Sequence, residues 1–78
     1  MDELSTFCHN IRHLRLKNGY SLSKMAKTLG VSIKTLRIIE TGSIPKHLGS
    51  AVVFRAAVHF DIRASALFLP LYNPSDNP

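Results

Sequence analysis

The stretch SLSKMAKTLGVSIKTLRIIETG, residues 21–42, predicts two short helices joined by a tight turn. Ser21 and Ser32 stand where the two helices should begin, and a serine there can accept a hydrogen bond from a free backbone N–H group. Gly30 lies at the join, where the left-handed conformation that ends a helix favours glycine. The second helix carries a lysine and an arginine on its outer side. We therefore expect a short helix, held at a fixed angle by its neighbour, that can enter a DNA groove.

The inner and outer faces of these helices follow from a rotation of about 100° per residue. The apolar residues predicted to face inward are Met25, Ala26, Leu29, Leu36 and Ile39, and those predicted to face outward on the second helix are Lys34, Arg37, Ile38 and Thr41.

Positive charge is concentrated in the middle of the chain. The net charge is +5, and nine of the ten Lys and Arg residues fall between Arg12 and Phe60, where Glu40 is the only acid. A basic centre favours a polyanionic partner. The alternative is an ordinary solvated surface.

Length and cysteine content predict a small cytoplasmic protein. The single cysteine, Cys8, leaves no internal disulfide to form, which suits a reducing compartment. The chain opens with Met-Asp-Glu and not with a secretory signal, and its longest apolar stretch, 51–60, is well below the roughly 20 residues that span a bilayer. We expect no membrane segment, one domain over 1–69 and a flexible tail over 70–78. A core this small would gain from dimerisation.

The remaining apolar patterns predict three further helices and no strand, giving an all-α fold with five helices. A strand over residues 51–54 is the alternative, but its alanine and the absence of a hairpin partner argue against it. The predicted spans are Leu4 to Asn18 for helix one, His47 or Ser50 to Phe60 for helix four, and Ala64 to Leu69, before Pro70, for helix five.

Helix four is apolar on nearly every side, which indicates burial on more than one side. One stripe, formed by Val53, Ala57 and Phe60, is expected to face the core. A second copy of the chain is expected to cover the rest, so the predicted homodimer interface consists of Val52, Phe54, Ala56 and Val58.

Most of the chain, from about Ile11 to Phe68, resembles the phage-repressor and Cro-type helix-turn-helix family, also called XRE or lambda-repressor-like. The similar segments are IRHLR (11–15), GYSLSKMAKTLGVS (19–32), LRIIETG (36–42) and AAVHFDIRASALF (56–68). The resemblance implies a five-helix domain whose second and third helices form the helix-turn-helix. It also implies duplex DNA as the partner and transcriptional regulation by a homodimer that reads two half-sites.

The resemblance implies roles for single residues as well. In that family an Arg late in helix one commonly pairs with the Glu near the end of helix three, and Arg15 and Glu40 occupy those positions. The base-reading positions correspond to Ile33, Lys34 and Ile38, with Arg37 adjacent. The two cations can donate to guanine, whereas an isoleucine can touch a thymine methyl group or pack against neighbouring side chains or a protein partner.

Phosphate contacts are expected from hydroxyl groups and lysines around the ends of helices two and three. Each lysine also has a simpler interpretation as solubilising charge. The predicted phosphate contacts are Ser21, Lys24, Lys27, Thr41 and Lys46.

One departure from the family favours a different function. The family usually has Gln at the first turn of helix two, where it contacts a phosphate, and this chain has Leu22, which cannot donate a hydrogen bond. Together with Ile33 and Ile38, it favours the alternative of a protein-interaction module on the same fold, such as a small antitoxin or a phage accessory factor.

Metal binding and catalysis are not expected. His9 and His13 are four residues apart beside Cys8, but no third ligand follows at zinc-finger spacing. The few carboxylates do not form a nucleophile–base arrangement. The sequence predicts neither enzyme activity nor a cofactor.

Overall fold

A computed structural model of the chain describes residues 3–45 and 48–71, and this part is all-helical, without a strand. The alternative of a strand over residues 51–54 is wrong, because these residues lie within a helix. The elements are α1 (Glu3–Lys17), α2 (Leu22–Leu29), α3 (Ile33–Glu40), α4 (Ser50–Phe60) and a 3₁₀ helix (Ala64–Phe68). Helix α4 begins at Ser50, and the alternative start at His47 lies outside the described residues.

Each element buries an apolar face in one shared core, because removing that surface from water is the main driving force for folding. Helix α3 packs against both α1 and α2, and the 3₁₀ helix packs against α1 and α4. One face of α3 is thereby covered and the other is left at the surface. The buried apolar residues are Phe7, Cys8, Ile11, Leu14, Met25, Ala26, Leu29, Leu36, Ile39, Val52, Ala56 and Leu67.

The fifth element, where a short helix was predicted, is a 3₁₀ helix. The Ala66 N–H donates to the Arg63 carbonyl and the Leu69 N–H donates to the Ala66 carbonyl, both three residues back. Leu69 is already extended, with φ −115° and ψ 148°. A residue before proline is pushed out of the α region, so Pro70 ends the helix one residue earlier than predicted.

Asn10 of α1 anchors the end of the described chain. Its buried side-chain amide donates to the Leu67 carbonyl at 2.6 Å and to the Leu69 carbonyl at 2.7 Å, and the Leu71 N–H donates to its Oδ1 at 2.9 Å. The described chain therefore stays attached to α1 as far as Leu71, while the predicted division into a domain over 1–69 and a tail over 70–78 stays a prediction. The rest of that predicted tail, 72–78, lies outside the described residues.

Two of the four residues predicted at a dimer interface are in the core of this chain. Val52 and Ala56 are buried, and the prediction that they face a partner is wrong. The stripe formed by Val53, Ala57 and Phe60 is only partly buried at the edge of the core. The most deeply buried stripe of α4 is thus the one that contains Val52 and Ala56, and the predicted stripe borders it.

Candidate nucleic-acid interface

Both helices of the 22–40 segment begin at the predicted serine caps. The Ser21 hydroxyl accepts a hydrogen bond from the Lys24 N–H at 3.0 Å, and the Ser32 hydroxyl accepts one from the Thr35 N–H at 3.0 Å. Each bond satisfies a donor that the first helical turn leaves free. These local bonds set where α2 and α3 start.

The turn between the two helices depends on Gly30, which has a left-handed φ of 72°. The Val31 N–H donates to the Ala26 carbonyl, which closes the end of α2 as in a Schellman motif. A Cβ atom at position 30 would lie 3.0 Å from the guanidinium carbon of Arg55. The positive φ is what favours glycine here, and the exposed Arg55 side chain of α4 lies against the turn.

An ion pair fixes the other end of α3. The Arg15 Nε donates to Glu40 Oε2 at 2.8 Å, and its Nη2 donates to Oε1 at 2.9 Å. Its Nη1 also donates to the Tyr20 carbonyl at 3.3 Å. The hydrogen bonds to Glu40 raise the pKa of the Arg15 guanidinium, although burial acts in the opposite direction. One side chain of α1 thus connects the end of α3 to the segment that leads into α2.

The outer face of α3 combines cationic and apolar side chains. Lys34 and Arg37 are exposed, Ile33 is 40% exposed and Ile38 is half-buried, while Leu36 and Ile39 on the opposite face are buried. The structure therefore brings all four predicted base-reading residues to one side of the helix. Two of them can donate hydrogen bonds, and the other two offer only methyl and methylene groups.

The hydroxyl groups of Ser21 and Thr41, both predicted to contact phosphates, differ in whether their protons are free to be donated. The Ser21 oxygen accepts the cap hydrogen bond, so its own proton remains available to a phosphate oxygen. The Thr41 hydroxyl instead donates to the Ile38 carbonyl at 2.6 Å. Thr41 would have to break that bond to donate to a phosphate, which makes Ser21 the better candidate.

The lysines on α2 are both exposed, and within residues 3–45 and 48–71 a ring lies beneath one of them. Lys24 Nζ lies 4.5 Å from the centre of the Tyr20 ring, in a cation–π arrangement. Lys27 is exposed one turn further along the helix. The predicted contact at Lys46 lies outside the described residues.

Leu22, which was expected on the surface facing DNA, is partly buried and packs against the core. The apolar character of the outer surface at this end of α2 is therefore less than the sequence indicates. Ile33 is the more exposed apolar residue on the candidate interface, at 40%.

A second, apolar surface lies on α4. Phe54 and Val58 are 68% and 65% exposed, four residues apart on one side of the helix. Next to them is a groove of about 620 Å³ between α4 and the 3₁₀ helix. Its lining is formed by Ser50, Ala51, Val53, Phe54, Ala64 and Phe68.

Sequence reasoning missed the side chains that support α2 from outside. Tyr20 and His59 lie within hydrogen-bond distance, with the Tyr20 hydroxyl 2.9 Å from His59 Nε2. Arg55 reaches the turn at Gly30. No local pattern links these pairs, because each is formed by chain segments far apart in sequence.

Within residues 3–45 and 48–71, no group of three or more His, Cys, Asp or Glu side chains is placed to hold a metal ion. Over the same residues, every helix is too short or too polar to serve as a bilayer-spanning segment. No protein-family model, curated protein or solved structure matches the chain.

Proposed function

We propose that this protein is a cytoplasmic DNA-binding transcriptional regulator of the phage-repressor and Cro-type class. In this proposal α2 and α3 form the helix-turn-helix, and α3 lies in the major groove. The observation that carries the proposal is the outer face of α3, where exposed Lys34 and Arg37 lie opposite the buried Leu36 and Ile39. A short helix held at both ends can present these cations to base edges with little loss of side-chain and backbone freedom on binding.

In this proposal the residues on the outer face of α3 contact bases, and those around α2 contact phosphates. Arg37 and Lys34 can donate to the O6 and N7 atoms of guanine, and Ile33 can contact a thymine methyl group. Ser21, Lys24 and Lys27 around the ends of α2 would contact phosphates and so position the domain without reading sequence.

The exposed apolar surface of α4 supports action as a homodimer. Phe54 and Val58, with the groove beside them, offer a surface that a second copy would remove from water. Two copies would then read half-sites about 34 Å apart, one turn of the DNA helix.

The experiment that tests this proposal is selection of preferred duplexes from a random pool, followed by affinity measurements over a series of salt concentrations. Affinity should fall steeply with salt as counterions are released from the DNA. Lys34→Ala should relax the sequence preference, whereas Arg12→Ala should leave it unchanged. Arg12→Ala is the control, because Arg12 is an exposed cation on α1 and its replacement removes the same charge as Lys34→Ala.

A second candidate function is a protein-interaction module on the same fold. It is favoured by the 40% exposure of Ile33 in the middle of the basic face, together with the exposed Phe54 and Val58. Failure to enrich any duplex, or a complex that persists at high salt with a protein partner, would support this candidate over DNA binding.

A further inference from the structure

Tyr20 lies immediately before the Ser21 cap, and its backbone is held on both sides by Arg15. The Tyr20 N–H donates to the Arg15 carbonyl at 2.9 Å, and Arg15 Nη1 donates to the Tyr20 carbonyl at 3.3 Å. Because Arg15 is also paired with Glu40, the backbone of Tyr20 is connected to the end of α3. The residue that leads into α2 thus has a defined position.

The side chain of Tyr20 is held separately, by the C-terminal end of α4. Its hydroxyl is 2.9 Å from His59 Nε2. Its ring centre lies 5.9 Å from that of His59, in an edge-on arrangement, and 6.0 Å from that of Phe60. His59 and Phe60 are themselves edge to face, with centres 4.8 Å apart. The three rings therefore define the orientation of the tyrosine face.

That face lies beneath a cation of the candidate interface. Lys24 Nζ is 4.5 Å from the Tyr20 ring centre, and Lys24 belongs to the first turn of α2, where the Ser21 hydroxyl caps its N–H. An aromatic face attracts an ammonium group through its quadrupole. It does not take up the N–H groups as strongly as a carboxylate would, so they remain available to phosphate oxygens.

We propose that Tyr20 and His59 are positioning residues that hold the Lys24 ammonium in place for a DNA phosphate. A free lysine loses much of its rotamer freedom when it binds, and a lysine already resting on a ring loses less. Lys24 should therefore contribute more to DNA affinity than Lys27, which is exposed on the same helix. This inference rests on the proposed function.

The test is a double-mutant cycle on the affinity for an end-labelled duplex of mixed sequence, measured by fluorescence anisotropy over a salt series. Lys24→Ala should lower affinity by about 10-fold or more, since it removes a charged hydrogen bond. It should also reduce the slope of log affinity against log salt by about 1. Tyr20→Leu should lower affinity by about 3-fold through loss of the cation–π contact. In the Lys24→Ala background, Tyr20→Leu should leave the affinity unchanged.

Lys27→Ala provides the matched background, because it removes an equal charge from the same helix. There Tyr20→Leu should keep its effect of about 3-fold. His59→Leu should behave like a weaker Tyr20→Leu, with an effect that also disappears when Lys24 is alanine. Circular dichroism melts check that each variant is folded. If Tyr20→Leu does not fold, Tyr20→Phe and His59→Leu complete the same cycle. Tyr20→Phe removes only the hydroxyl–imidazole contact, and His59→Leu also removes the ring contacts of His59 with Tyr20 and Phe60.

Equal effects of Tyr20→Leu in the wild-type and Lys24→Ala backgrounds would overturn the inference and leave the proposed function intact. An unchanged salt slope in Lys24→Ala would do the same. If the wild-type protein binds no duplex at any salt concentration, the proposed function fails, and this inference fails with it.

Discussion

Arg15 of α1 binds Glu40, the last residue of α3, through two parallel hydrogen bonds of 2.8 and 2.9 Å. The side chains are only 15% and 8% exposed. A bidentate arrangement of this kind constrains angle as well as distance. The orientation of the outer face of α3 therefore depends on a residue of α1 that does not belong to that face.

Glu40→Ala should lower the free energy of unfolding by about 2–3 kcal/mol, because it leaves the largely buried Arg15 charge without its partner. For a domain of this size, each kcal/mol lowers the melting temperature by roughly 4–8 °C. Thermal melts and urea titrations measure the effect. The control is Arg12→Ala, which removes an exposed cation from α1, the helix that carries Arg15. It should change stability by no more than about 0.5 kcal/mol.

The combined variant of Arg15→Ala and Glu40→Ala should lose less stability than the sum of the two single changes. An unchanged melting temperature in Glu40→Ala would show that the pair contributes nothing. Because the pKa of Arg15 is raised, its contribution should be constant through the neutral range. On the alkaline side it is lost at strongly alkaline pH, as the pH rises through that raised pKa.

Asn10→Ala should destabilise the protein by about 2–4 kcal/mol, since three buried or partly buried backbone groups lose their partner at once. These groups are the carbonyls of Leu67 and Leu69 and the N–H of Leu71. A urea titration should show a lower midpoint. Asn18→Ala is the control: its amide donates to the Leu14 carbonyl, but Asn18 is exposed, so the expected loss is within about 0.5 kcal/mol.

Asn10→Asp separates the shape of the side chain from its hydrogen-bonding capacity. An ionised carboxylate cannot donate to the Leu67 and Leu69 carbonyls, and burial raises the pKa of the introduced group. The folded state would then bind more protons than the unfolded state, so the stability of this variant should fall as pH rises from 4 to 8 (roughly the range over which a buried carboxyl ionises). A flat pH profile, parallel to the wild type, would mean that the site is accessible to water.

Features set by neighbouring residues could be predicted from the sequence. The caps at Ser21 and Ser32 and the turn at Gly30 depend on contacts within a few residues, and all three have the expected conformation. The inward direction of Leu36 and Ile39 follows from helical periodicity, and both are buried. Local rules were sufficient for the geometry of α2 and α3.

Contacts between distant segments could not be predicted in this way. Asn10 meets residues 57 to 61 positions further along the chain, and Tyr20 meets His59 across 39 positions. The predicted orientation of α4 is wrong for a related reason. With apolar residues on nearly every side, periodicity does not distinguish the stripe containing Val52 and Ala56 from the one containing Phe54 and Val58.

Asp61→Gly should stabilise the protein by about 0.5–1 kcal/mol. Asp61 ends α4 with a left-handed φ of 54° and ψ of 51°, a conformation that costs energy for a residue with a Cβ atom. Its negative charge is also unfavourable at the C-terminal end of a helix. Against this, glycine increases the conformational entropy of the unfolded chain, which limits the gain.

Thermal melts of three variants separate these effects on Asp61. Asp61→Asn removes only the charge and should give a smaller gain than Asp61→Gly. Asp61→Ala also removes the charge, but alanine has a Cβ atom without the short polar side chain that lets asparagine adopt the left-handed conformation, so its melting temperature should be below those of both other variants. A glycine variant that melts no higher than the alanine variant would rule out backbone strain at this position.

Phe54→Glu should convert the proposed dimer to a monomer without unfolding the chain. Phe54 is 68% exposed on α4 beside the apolar groove, so replacing it removes little from the core. At a two-fold interface the introduced carboxylate would be buried and would be repelled by the same carboxylate of the second copy. Sedimentation velocity measures the assembly, and circular dichroism checks the fold. Leu4→Glu is the matched control, since it introduces the same charge at an exposed apolar residue of α1 and should leave the dimer intact. If both variants sediment like the wild type, the apolar surface of α4 is not the interface between copies.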